Sequence, residues 1–236
     1  MAKHEVVTTE AHRNLRINTQ RSAAMGDATM LCLTFPDEFR RVQNDYPIVF
    51  QLNAERTEFR AVALLGFERD ENLYLKGATW DARYLPLSLD VQPFLIGLSS
   101  EPGNEKVHID MSSPRVNQSD GVRLFTDDGR PTAYFGNVAE KLGVLHAGLQ
   151  RVKPFFDALQ KHELIEPFVL ETQLKSGSKH RLVGFHMISE EKLQELDASA
   201  LNELHQEGFL MPIFMVLASL SNFAKLIERK NATINV

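Results

Sequence analysis

The sequence predicts an α+β fold, with mostly antiparallel sheet in the N-terminal half and a long helix and C-terminal helices packed against it. Three patterns carry the prediction. Short apolar runs broken by Pro, Gly, Asn and Asp extend from Cys32 to Tyr134, a helical apolar stripe follows, and a series of helix caps closes the chain. Of the 236 residues, 43% are hydrophobic and 24% charged, enough apolar material to build a packed core.

Residues 1–30 are polar and aperiodic and read as an N-terminal arm carrying no core. Residues 31–236 then form a single α+β domain, with any subdomain boundary near residue 136. Ile48–Leu52, Phe59–Leu65 and Asn72–Lys76 are expected as a three-stranded meander. Phe94–Leu98, Val107–Met111 and Arg123–Thr126 are further strands, the last running into the tight-turn sequence Asp127-Asp128-Gly129. Leu142, Leu145, Leu149, Val152, Phe156 and Leu159 lay one apolar stripe along a helix. Pro154 inside that stripe crowds the carbonyl of Gln150, so a kink or break is expected. Phe168–Leu174 and Arg181–Met187 flank a polar loop with Gly177 and read as a hairpin. Ser189 and Asp197 are placed to cap short helices, Gly208 to end one, and Pro212 to open a last helix reaching about Lys230.

The net charge of −5 argues against a nucleic-acid partner, because affinity for a phosphate backbone comes from basic surface. A single cysteine, Cys32, excludes an internal disulfide. The first residues lack the apolar core of a secretory signal, and the apolar run Phe209–Leu220 is shorter than a membrane span. A cytoplasmic protein without membrane insertion is therefore expected, with an envelope-associated one as the alternative.

Two groups of residues are candidates for function. His108 and Asp110, two apart on a strand, project to one face, and with His180 or His186, six residues apart on one face of the later strand, they would complete the two-histidine, one-carboxylate set of a non-haem iron oxygenase. The bland reading is that His108 and Asp110 form the wet face of a strand whose other face is Val107, Ile109 and Met111. Phosphate-loop, dinucleotide, zinc-protease and nucleophile-elbow signatures are absent. The second group is Trp80, Arg83, Tyr84 and Phe94, in a proline-bearing stretch. Rigid aromatic area is buried at low entropic cost and guanidinium pairs with anions, so these residues suit a ligand or partner surface. The alternative is structural, with Trp80 as a core plug and Arg83 as the ion pair covering it. Phe209, Met211, Phe214, Met215 and Phe223 are expected in the core.

Several of these stretches occur in an order that resembles the bacterial SapC family. They are Glu38-Phe39, Tyr46-Pro47-Ile48-Val49-Phe50, Leu64-Leu65-Gly66, Asn72-Leu73, Trp80 with Tyr84 and Pro86, and Pro93-Phe94. Leu124 to Gly129, Gly184 with Ile188, Glu190 and Lys192-Leu193, and Gly208 to Leu220 complete the set. The resemblance covers about residues 30–230. It implies a cytosolic-type bacterial protein with a name taken from surface-layer assembly, encoded beside TonB-dependent receptors and halogenase-like enzymes. A non-catalytic accessory or binding protein in nutrient or iron uptake is the expectation, with no cofactor. An iron enzyme and a surface-layer or envelope component are the alternatives. Where the family pattern has basic residues before Pro-Phe, this chain has Ser88 to Gln92 without one.

Overall fold

The structure, a computed structural model, describes residues 3–97 and 105–234. In chain order the elements begin with β1 (His4–Val6), α1 (Thr9–His12), β2 (Arg16–Ile17), β3 (Leu31–Thr34), α2 (Phe39–Val42), β4 (Ile48–Leu52) and β5 (Phe59–Leu64). Next come β6 (Leu75–Lys76), β7 (Thr79–Trp80), α3 (Leu87–Asp90), β8 (Phe94–Gly97), β9 (Lys106–Asp110), β10 (Val116–Asn117) and β11 (Val122–Arg123). The rest is α4 (Ala133–Gln150), α5 (Val152–Lys161), β12 (Ile165–Gln173), β13 (Lys179–Ile188), α6 (Glu190–Gln194), α7 (Ala198–Gln206), α8 (Leu210–Ser219) and α9 (Asn222–Ile234). The described strand pairings are all antiparallel and the C-terminal region is rich in helix, so the fold is α+β. Contacts divide the chain into two compact units. The first is drawn from Met1–Ala28, Leu75–Asp81 and Leu87–Ala147, the second from Thr29–Tyr74, Ala82–Pro86 and Gly148–Val236.

The first unit holds two three-stranded sheets, β1-β9-β8 and β10-β2-β11, and the small β6-β7 hairpin. Its core joins Ile17, Phe94, Ile109, Leu124 and Phe125 to Phe135, Val138 and Leu142, the apolar stripe on the first turns of α4. The N-terminal residues, expected to carry no core, contribute Leu15 and Ile17 to it. The reason is that β2 is a central strand, with Ile17 opposite both Val116 and Val122. Of the expected strand Phe94–Leu98, Leu98 lies outside the described residues.

The second unit is built on a five-stranded sheet in the order β12-β13-β4-β5-β3. Phe50 and Phe59 on one face meet Phe155 and Phe156 of α5, and Phe168 on the other stacks on Phe223 of α9 at 5.2 Å. Asn72–Lys76 does not join as the third strand of a meander. Leu73 donates its N–H to the carbonyl of Leu65, Asn72 caps the N–H of Tyr74, and only Leu75–Lys76 is extended, pairing with β7. Strand β3 lies beside β5 instead.

The predicted break in the long helix falls at Arg151, so Pro154 sits in the first turn of α5, where no intrahelical donor is needed. Asp197 caps α7 through the N–H of Ala200, and Gly208 ends it at a φ of 76°. Ser189 stands at the start of α6 without a capping side-chain bond. The last helix divides into α8 and α9 around Leu220 and Ser221, with Ser219 accepting from the N–H of Ile48 at 2.9 Å. Phe209, Met215 and Phe223 are buried as expected, but Met211 and Phe214 are exposed on the outer side of α8.

Two glycines of α4 yield a paired prediction. An alanine normally favours a helix over glycine by about 1 kcal/mol. At Gly143 nothing lies within 4 Å of the added carbon, so Gly143→Ala should raise the melting temperature. At Gly148 that carbon would lie 2.1 Å from the ring of buried Phe35, so Gly148→Ala should lower it, because overpacking costs roughly 1–3 kcal/mol of stability. Thermal melts of the two variants should therefore move in opposite directions.

Candidate functional site

The most elaborated polar arrangement in the second unit gathers around Tyr84. Residues 34–42 run from the end of β3 into α2, which brings Thr34 and Glu38 side by side. Glu38 is 3% exposed, and its two carboxylate oxygens accept from the Thr34 hydroxyl at 2.7 Å and the Tyr84 hydroxyl at 2.8 Å. A buried carboxylate needs such donors to offset its lost hydration. The carbonyl of Tyr84 accepts in turn from the hydroxyl of Tyr46, so the segment 82–86 is pinned by both main chain and side chain. Arg41 lies over the Tyr84 ring, 5.7 Å from its centre. Burial first, and then the Glu38 carboxylate, push the Tyr84 phenol well above its ordinary value, so it acts as a neutral donor. Arg83 next to it is exposed and has no ion-pair partner among the described residues. The result is a rigid aromatic face under one guanidinium, with a second left open to solvent.

The other sequence-predicted residues separate. Arg83 and Tyr84 belong to the second unit, Trp80 and Phe94 to the first. Trp80 is half-buried and pairs with Leu75 in the short hairpin. Phe94 is a core residue, packed on Phe135 at 5.8 Å, and so is closed to a ligand. His108 lies against Gly97, where any larger residue would collide with the imidazole. Asp110 accepts from the backbone and hydroxyl of Ser112 and from the N–H of Lys3, and these bonds hold its carboxyl below the usual range.

His180 and His186, expected on one face of their strand, lie on opposite faces. His180 pairs with Thr172 and His186 with Pro167, and the bulge at Val183-Gly184 inverts the alternation between them. His180 is directed toward Glu68 at 3.9 Å, and His186 stands edge-on to Phe59 at 5.0 Å, its pKa drawn down by burial. Among the described residues no three His, Cys, Asp or Glu side chains gather into a set that could hold a metal ion.

Sequence reasoning misses a charged network in the first unit. Arg115 and Asp27, both essentially buried, pair at 2.7 Å; Arg21 bridges Asp27 to Asp90, and Lys141 reaches Asp90 at 2.7 Å. Arg115 also donates to the carbonyls of Asn18 and Gln20, while its Nε has no partner among the described residues. Burial pushes nearby Tyr134 up to about 12. No local pattern marks Arg115, because its partners are about ninety residues away in the chain.

A groove of about 660 Å³ in the second unit is lined by Arg151, Asp157 and Lys161 with Glu203, Glu207 and Phe209. Its cations are already engaged, Lys161 by Glu203 and Arg151 by the Glu207 carbonyl and Asp37. The helical stretch Leu210–Thr233 is long and apolar enough to cross a membrane, but Pro212, Ile213, Met215, Val216 and Ser219 within it are buried in the fold, as in a core helix.

Neither a curated protein nor a solved structure matches the chain. One family model does match, that of SapC, across residues 7–226, a stretch that includes the Tyr84 cluster and most of both units. The chain belongs to the SapC family.

Proposed function

We propose that this SapC-family chain is a non-catalytic accessory protein of the bacterial cytoplasm that binds a partner carrying an anionic group. The contact surface is Tyr84 with Arg41 and Arg83. One observation carries the reading: Arg83 is exposed, without an ion pair among the described residues, beside a tyrosine that Glu38, Tyr46 and Arg41 hold rigid. A guanidinium already satisfied within the fold has little to offer a partner, whereas an open one beside a fixed aromatic resembles a binding hot spot. The family's implied association with TonB-dependent receptors makes nutrient or iron uptake the setting we propose.

The test is affinity capture from the native organism followed by titration of the captured partner. Arg83→Ala is expected to weaken binding about thirtyfold or more with an unchanged melting temperature. Arg83→Lys should recover only part of the affinity, since lysine keeps the charge and loses the planar fork. Equal affinity of Arg83→Ala and the parent would remove the arginine from the surface.

A further inference from the structure

The outer strand β12 borders the sheet of the second unit, and β13 is its one ladder partner among the described residues. From Glu166 to Gln173 its burial alternates without interruption, so β12 is regular. The register shift opposite Val169 is absorbed on β13, where Gly184 takes a φ of 83°. Leu174 donates its N–H to the carbonyl of Ser178 at 2.9 Å, and this closing bond sets the direction of the strand's polar groups. Those of Leu170 and Thr172 face β13, and those of Val169, Glu171 and Gln173 point outward. Pro167, which has no N–H to offer, occupies another outward position, as prolines in edge strands do. Beside this row Val169 and Val183 are 50% and 54% exposed, flanked by the Glu171–Arg181 ion pair at 3.0 Å.

We propose that β12 pairs with the same strand of a second copy of this chain, antiparallel about a two-fold axis at Val169. A two-fold interface must be self-complementary, and the sequence of β12 meets that condition in this register. Val169 faces its own equivalent, Pro167 faces Glu171, Glu166 faces Thr172, and Ile165 faces Gln173, so no like charges oppose. Moving the axis to Glu171 would set two carboxylates against each other, a repulsion the Val169 register avoids. Outward donors of one strand meet outward carbonyls of the other over about 30 Å, and Val169 and Val183 of both copies close into one apolar patch. An interface of this extent belongs to the weak, reversible class.

Sedimentation velocity from about 1 to about 500 µM tests this, with backbone hydrogen exchange at the two extremes. The parent should pass from a 26.7 kDa species to twice that mass, with a midpoint on the order of 10 µM. The amides of Val169 and Glu171 should exchange more slowly at the high concentration. Val169→Lys should weaken association at least tenfold at an unchanged melting temperature, because the site is exposed in the single chain. A parent that keeps the single-chain mass throughout overturns the proposal. So does a dimer with unaltered exchange at Val169 and Glu171, or a Val169→Lys variant that associates as the parent does.

Discussion

Replacing Asp27 with alanine should cost about 3–5 kcal/mol and lower the melting temperature on the order of 10 °C. The carboxylate is fully buried and accepts from Arg115, from Arg21 and, through its second oxygen, from the N–H of Ser22 at 2.9 Å. Removing it leaves the 1%-exposed guanidinium of Arg115 without its counter-charge, in a place water does not reach. The cost is that of the stranded cation more than of the lost bond. A double variant tests this directly: Asp27→Leu with Arg115→Met removes both charges and should regain most of the stability that Asp27→Ala loses. Chemical denaturation of the parent, the single variant and the double variant measures it. A double variant as unstable as Asp27→Ala would show that the pair's remaining hydrogen bonds, and not its charge balance, carry the energy.

The loss expected for Phe155→Ala is similar, about 3–5 kcal/mol, but its origin is different. Phe155 is fully buried and makes edge-on contacts with Phe39, Phe50, Phe156 and Phe209, with ring centres 5.5 to 6.2 Å apart. It therefore joins α5 to the central strand β4, to α2 and to the residue preceding α8. Truncation removes the apolar contacts and leaves a cavity whose walls are fixed by several elements, so little collapse can follow. Phe155→Leu keeps much of the volume and should lose less than half as much. The denaturation midpoints of the two variants provide the check, and an equal loss would mean that the aromatic edge contacts dominate over volume.

Features with local causes are legible in the sequence. The break near Pro154, the glycine-bearing hairpin loop and the Asp197 and Gly208 caps each depend on neighbours a few residues away, and each appears in the structure; of the stripe from Leu142 to Leu159 the two ends are buried, while Leu149 in its middle is exposed. Long-range pairing leaves no such trace. β2 is only two residues long, too short to display an alternation, yet its central position carries Ile17 into the core. The face of His186 depends on one inserted residue, for which the local sign is Gly184 inside a strand. Within the candidate site, composition singles out Arg83 and Tyr84. Glu38, forty-six residues from the hydroxyl it accepts from, becomes visible only when the chain is folded.

The two units interleave along the polypeptide, which passes from one to the other after Ala28, Tyr74, Asp81, Pro86 and Ala147. Neither unit is a contiguous cassette. A nick or a stop codon anywhere between these crossings strips segments from both, so halves of the gene expressed alone should yield no stable fragment. Recombination faces the same obstacle, since transplanting one unit into another protein would mean moving three separate stretches at once. Descent as an undivided whole is the route this connectivity leaves open.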